Sequence, residues 1–220
     1  MTDPTVLTGP ATPGASSLPP LTLARLPLYA RVLDDLARGG VATASSAQLA
    51  RAAGVEPAQL RRDLSHLGSY GTRGVGYAVA DLRDHVRAAL GVTSRRGVVV
   101  VGVGNLGRAV ASYGGLKSRG FDVVALVDTA GAVVGTSVAG VVVEHVRELP
   151  RLVAEHEVEI AVLTTPAEVA QEALDAIVAA GVRSVLSFAP RALSAPPGVA
   201  VRNVDVAAEL QILSFYLHSS

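Results

Sequence analysis

The stretch GVVVVGVGNLG, residues 97–107, narrows the possible folds more than any other part of the chain. Four consecutive valines suit a strand buried on both faces, as in the middle of a parallel sheet. Gly102, Gly104 and Gly107 follow in the pattern G-x-G-x-x-G, and RAVASYGGL continues with Ala109, Val110 and Tyr113 at helical spacing. In this strand-turn-helix setting each glycine has its own task. Gly102 permits the tight turn. Gly104 lets the backbone around Val103, Asn105 and Leu106 approach a pyrophosphate at the helix N-terminus, and Gly107 brings helix and strand together. The expectation is a Rossmann-like parallel-sheet domain that binds a dinucleotide.

The following segments agree. FDVVALVD reads as the second strand and ends in Asp128. An acid there accepts hydrogen bonds from the adenosine ribose and repels a 2′-phosphate, and Thr129-Ala130 supplies no basic partner, so NAD+ and NADH are expected over the phosphorylated forms. The spacing from Gly102 to Asp128 exceeds the usual value of about 20 residues, and the insertion KSRG absorbs the difference. VEIAVLTTP, VRSVLSFAP and VAVRNV read as further strands, with a helix starting at Pro166. Ligands of open parallel sheets sit outside the carboxyl ends of the strands. Thr164, Thr165, Pro166, Phe188, Ala189 and Pro190 are therefore candidates for the nicotinamide side of the pocket. Phe188 has an alternative reading as a core residue.

The region before this domain has a different pattern. LARLPLYARVLDDLARGG places Leu26, Tyr29, Val32, Leu33 and Leu36 at helical spacing and stops at Gly39-Gly40. Ser45 and Gln48 form a capping box for a short second helix that ends at Gly54. Pro57 opens a third helix with Leu60, Leu64 and Leu67 on one stripe. Its free face carries Ala58, Arg62 and Ser65, flanked by Arg61 and His66. This is the layout of a helix-turn-helix, whose second helix enters the major groove, where arginine donates bidentately to guanine. Ser46 and Gln59 add side chains able to read base edges or hold phosphate. GSYGTRGVGY then reads as a glycine-rich hairpin, a wing with Arg73 at its tip, followed by Tyr77 and Val79 in alternation. The plainer alternative is a surface helix with solvated arginines that touches only protein.

Charge and composition allow this division. Residues 21–90 hold nine arginines and six acids, whereas residues 91–220 hold ten basic and twelve acidic residues, a basic front and an acidic back. The chain lacks cysteine, which removes thiolate nucleophiles and cysteine-ligated metals. No apolar run approaches about 18 residues, so no membrane span is expected, and residues 1–20 read as a Pro/Gly/Ser/Thr-rich arm without a secretory signal. A cytoplasmic protein without a metal is expected. None of the five histidines falls at the end of a central strand on the expected nicotinamide side, and the single lysine, Lys117, lies in the first dinucleotide helix. His145 falls just after the short VAGVVV strand. The pocket thus lacks a proton donor and acceptor for oxidoreductase chemistry, and no catalytic residue is assigned. A nucleotide that is not a reagent acts as a signal.

The fragments RLPLYARVLDDL, SSAQLA, QLRRDLSHLGSYGTRGVGY, VGVGNLGRAVASY, FAPRAL and NVDVAAELQILSFYL resemble, in the same order, the redox-sensing transcriptional repressor family Rex. The resemblance implies a winged-helix domain over 21–90, a Rossmann domain over 91–204 and a domain-swapped dimerisation helix within 205–220. It further implies a homodimer on palindromic double-stranded operator DNA, released by NADH. It also implies an interdomain switch of Arg31, Tyr113 and the other subunit's Asp205. Thr164-Thr165-Pro166 departs from the valine-containing turn common in the family. VAAELQILSFYL is itself apolar on nearly every side, which calls for a partner surface, the alternative being an ordinary buried closing helix. The rival reading is a small dehydrogenase or CoA-ligase-like domain with a regulatory helix bundle. A ligase needs a phosphorylatable histidine or a partner subunit, and no histidine is suitably placed.

Overall fold

The computed structural model describes residues 18–68, 70–72 and 74–217. Arg73, expected at the wing tip, His218, expected to close the last helix, and nearly all of the N-terminal arm lie outside them. The described chain forms two compact units that divide between Ser94 and Arg95.

The first unit comprises α1 (Pro20–Arg38), β1 (Thr43–Ala44), α2 (Ser46–Ala53), α3 (Pro57–Ser65), β2 (Gly71–Thr72), β3 (Gly76–Ala78) and α4 (Val79–Ala89). Leu26, Tyr29, Val32 and Leu33 of α1 are buried with Leu49, Leu60, Leu64, Leu82 and Val86 in one cluster. The capping box at α2 forms as expected: Ser45 Oγ accepts from Gln48 N–H, and Gln48 Oε1 accepts from Ser45 N–H. Gly54 then ends α2 in the left-handed region at φ 66. The wing hairpin pairs β2 with β3, and β1 adds a third strand in the order β1-β3-β2. Val79 does not continue the strand alternation. It starts α4, 1% exposed, because Val79, Leu82 and Val86 are spaced to bury one helical face against the same cluster.

The second unit comprises β4 (Arg96–Val101), α5 (Asn105–Ala111), α6 (Gly114–Lys117), β5 (Phe121–Asp128), β6 (Ser137–Val138), β7 (Val141–His145), α7 (Leu149–Glu155), β8 (Val158–Leu163), α8 (Ala170–Ala179), β9 (Ser184–Ser187), β10 (Ala200–Asn203) and α9 (Val206–Leu217). The seven strands run β10-β9-β8-β4-β5-β7-β6. All neighbours are parallel except the edge pair β6-β7, so the sheet is mixed rather than purely parallel. The valine run is explained by burial on both sides. Val99 and Val101 enter one core with Ala125, Val127, Ala161 and Leu163, while Val98 and Val100 enter the opposite one with Leu126 and Val162.

Two further elements differ from the sequence expectation. The first dinucleotide helix stops at Ala111, and Gly114-Gly115 begins the separate α6, so Tyr113 stands at the break and is 55% exposed. Two glycines in succession weaken helix continuation at that point. Pro166 opens a turn closed by Val169 N–H, and α8 begins only at Ala170. α9 has no buried residue: Leu210, Ile212, Leu213, Phe215 and Tyr216 are all exposed, which contradicts an ordinary buried closing helix.

Candidate functional site

Strand order reverses between β4 and β8, and the glycine loop sits at that switch point. Gly102 has φ +92, and a Cβ on it would lie 2.9 Å from Thr165 Cγ2 and 3.0 Å from Thr165 N. At Gly107 a Cβ would meet Gly102 O at 2.0 Å. Thr164 Oγ1 donates to that same Gly102 oxygen at 2.6 Å, so the end of β8 clamps the loop. Gly104 is different, because a Cβ there would meet nothing within 4 Å. The space is open at the one glycine assigned to ligand approach.

Asp128 ends β5 and is already held in place. Its Oδ2 accepts from Val103 N–H at 2.6 Å and its Oδ1 from Ala130 N–H at 2.8 Å. Thr165 Oγ1 is a buried hydroxyl without a partner among the described residues, a group that costs free energy until something pairs with it. The open face at Gly104, the first-turn N–H groups of α5, which have no acceptor within the helix, the fixed carboxylate and this orphan hydroxyl together suit a dinucleotide.

The remaining pocket candidates divide by exposure. Asn105, Leu106, Pro166 and Pro190 are exposed. Val103 and Ala189 are buried, which leaves only their backbone groups for a ligand. Phe188 is half-buried and packs against the core containing Val98 and Val100, which favours its core reading. His145 is the last residue of β7 rather than a residue beyond it. It pairs in register with Asp128, and its Nδ1 accepts from Arg147 N–H. That places it on the β5-β7 side of the switch point, away from β8 and β9.

In the first unit α3 presents Arg61, Arg62, Ser65 and His66 exposed, with Gln59 half-buried beside them. Several of these side chains have protein partners. Arg61 Nη1 donates to Ser46 Oγ at 3.0 Å, joining α3 to the start of α2. Ser65 Oγ donates to Arg62 O, and Arg62 Nη1 donates to Gln59 Oε1 at 3.3 Å.

Sequence reasoning missed Asp63, although stepping 100° per residue from Leu60 puts it on the inner face. It is 1% exposed. Thr22 Oγ1 (2.9 Å), Arg25 Nε and Nη2 (2.6 and 2.7 Å), Tyr29 Oη (2.7 Å) and Gln59 Nε2 (2.9 Å) all donate to its carboxylate. Thr22, Arg25 and Tyr29 share one face of α1, so the carboxylate ties α1 to α3. Burial by itself raises the Asp63 pKa, but hydrogen bonds from Arg25, Tyr29, Thr22 and Gln59 outweigh it and hold the group well below the ordinary carboxylate range. Burial, then the bond to Asp63, pushes the Tyr29 phenol above its ordinary value.

Of the expected switch residues, Arg31 is exposed on α1 in the first unit, and Tyr113 and Asp205 belong to the second. Asp205 Oδ1 accepts from Ala207 N–H (2.9 Å) and Ala208 N–H (3.1 Å), which caps α9. Among the described residues no cluster of His, Asp or Glu could hold a metal ion, and no helix is long and apolar enough to cross a membrane.

A winged helix-turn-helix and a nucleotide loop at a sheet's switch point, in one chain, define a ligand-responsive DNA-binding regulator. Family models agree for both halves: "Putative DNA-binding protein N-terminus" matches residues 17–65, and "CoA binding domain" matches residues 93–191. The redox-sensing transcriptional repressor Rex of Streptomyces griseus is 53% identical over 199 residues, covering 90% of this chain and 79% of that protein. Rex of Desulfitobacterium hafniense is 42% identical, covering 90% of this chain and 94% of that protein. The crystal structure of RSP in complex with β-NAD+ and operator DNA has a TM-score of 0.87 at 30% identity, covering 92% of this chain and 94% of that one. RSP described as a Rex-family repressor has a TM-score of 0.82. The chain belongs to the Rex family of redox-sensing transcriptional repressors.

Proposed function

We propose that this chain binds a palindromic operator as a cytoplasmic homodimer while NADH is low and leaves it when NADH fills the pocket at Gly102, Gly104 and Asp128. It is an NAD(H)-sensing, DNA-binding repressor and not an enzyme. The observation that carries the reading is the open face at Gly104 beside the fixed Asp128 carboxylate, in a chain whose other unit presents Arg62 on an exposed helix. RSP, its relative, has been crystallised with operator DNA and β-NAD+, and separately with β-NADH.

On this reading the first-turn N–H groups of α5 receive the pyrophosphate, Asp128 accepts from the ribose hydroxyls, and the Thr164 to Pro166 and Phe188 to Pro190 turns border the nicotinamide, whose two redox states supply the signal. Arg61, Arg62, Ser65, His66, Gln59 and Ser46 serve DNA, with Arg73 on the wing. Residues 21–90 bind the operator, residues 91–204 hold the nucleotide and residues 205–220 make the dimer. α9 crosses to the partner protomer, a reading supported by the exposure of its large apolar side chains. Arg31, Tyr113 and the other subunit's Asp205 couple the two units, since a carboxylate can pair with a guanidinium or accept from a phenol. The test is operator-fragment binding at fixed salt with saturating NADH, saturating NAD+ and neither. NADH should weaken binding and NAD+ should not. Equal binding with both would end the sensor reading.

A further inference from the structure

The contacts of Gln59 fix more than its own position. Asp63 carries an ionised carboxylate surrounded by donors, four of them on three α1 side chains. An ionised carboxylate only accepts hydrogen bonds, so the Gln59 amide has a single usable orientation: Nε2 inward on Asp63 Oδ1 at 2.9 Å, Oε1 outward. The outward oxygen accepts from Arg62 Nη1 at 3.3 Å. Residues 59, 62 and 63 lie on adjacent turns of α3, so the buried carboxylate reaches the exposed guanidinium through one amide.

We propose that Gln59 is a positioning residue for DNA reading: held by Asp63, it steadies one nitrogen of Arg62 and leaves the guanidinium's other edge aimed outward to donate to a base. One of its two amide N–H donors is held by Asp63 and its oxygen by Arg62, which fixes the amide in this orientation. A free arginine side chain loses rotamer freedom when it docks. Restraint before binding removes some of that cost for the base that matches the held direction, so it sharpens discrimination more than affinity. The inference rests on the recognition-helix reading of α3.

The experiment uses the full chain and two classes of duplex: one that the wild-type protein selects from a randomised pool, with each of its single-base-pair variants, and an unrelated duplex. Binding is measured at fixed salt for wild type, Q59A, Q59M, R62A and Q59A/R62A. Q59M keeps the length and bulk of the side chain and removes its hydrogen bonds, and thermal unfolding checks that each variant is folded. Q59A and Q59M should each lose about 3- to 10-fold of discrimination at the same base pair that R62A relaxes. Affinity for unrelated DNA should stay unchanged, and adding Q59A to R62A should cost nothing more. The proposal is overturned if Q59A relaxes a different base pair, adds in full to R62A, or leaves discrimination intact. If R62A itself discriminates like wild type, the recognition-helix reading fails first, and that result is separable from the others.

Discussion

Replacing Gly104 and Gly107 in turn by alanine separates the two kinds of work done by neighbouring glycines. Gly104 has extended backbone angles, φ −73 and ψ −162, which alanine adopts without strain. A methyl there meets nothing within 4 Å. G104A should therefore fold as well as wild type, or be stabler by up to about 1 kcal/mol through the unfolded chain. The methyl nevertheless fills the approach assigned to the pyrophosphate, and NADH affinity should fall about tenfold or more, a loss of about 1.4 kcal/mol. At Gly107 a methyl lies 2.0 Å from Gly102 O, whereas such contacts essentially never fall below 3.0 Å, so the backbone must open by about 1 Å. Gly102 O cannot withdraw freely, because Thr164 Oγ1 donates to it. G107A should cost about 1–3 kcal/mol or more, a fall of several degrees in Tm. Calorimetry gives the stabilities, and NADH fluorescence gives the affinities without interference from tryptophan, which the chain lacks. If G104A unfolds as early as G107A, or binds NADH like wild type, the separation of roles is wrong.

Further expectations concern the rest of the molecule. D63N should destabilise the first unit by about 3–5 kcal/mol by leaving Arg25 facing an amide, measured by urea unfolding. Because the Asp63 pKa is depressed, its contribution is complete above the unfolded value of about 3.9 and is lost as pH falls below it. The raised Tyr29 phenol gives the opposite sign, with stability held below about pH 10 and lost above it; a pH series of unfolding midpoints that is flat at both ends would contradict both. S45A should cost about 1 kcal/mol by removing the cap of α2, and an S45A midpoint equal to wild type would show the box to be idle. L213E should shift the sedimentation of the protein from dimer to monomer, and an unchanged dimer would take α9 out of the interface. D205A removes both a helix cap and the proposed switch, so D205N, which keeps a capping oxygen, is the sharper variant. It should weaken the effect of NADH on operator binding more than it weakens NADH binding itself, and wild-type coupling would remove Asp205 from the switch.

The features of this protein that follow local rules are legible in the sequence. The valine run announces a strand buried on both faces, and Ser45 with Gln48 specifies a helix start whose two reciprocal hydrogen bonds both form. Spacing assigns Gly102 and Gly107 a tight turn and a close helix-strand approach, and the short clearances around both match, while the space at Gly104 is open. What the sequence hides are choices settled by tertiary partners. The helical wheel places Asp63 inward, but only the arrival of Thr22, Arg25 and Tyr29 from α1 makes that burial tolerable. The break before Tyr113 and the late start of α8 depend on short turns, where one proline or glycine pair outweighs helical periodicity. Asp205 is linked to coupling through family resemblance, whereas its capping bonds become visible only in the fold.

Asp128 is braced from two sides by backbone N–H groups. An ionised carboxylate has about four acceptor positions, so two remain for ribose hydroxyls, and the group cannot swing aside without abandoning both backbone partners. A ligand bearing a 2′-phosphate would bring further negative charge against an anion that has nowhere to retreat. On the role proposed for Asp128, selectivity is built in before any ligand arrives, rather than acquired by closure around it. For a regulator this amounts to filtering its input. On that reading, reducing equivalents carried on a 2′-phosphorylated nicotinamide cofactor do not register.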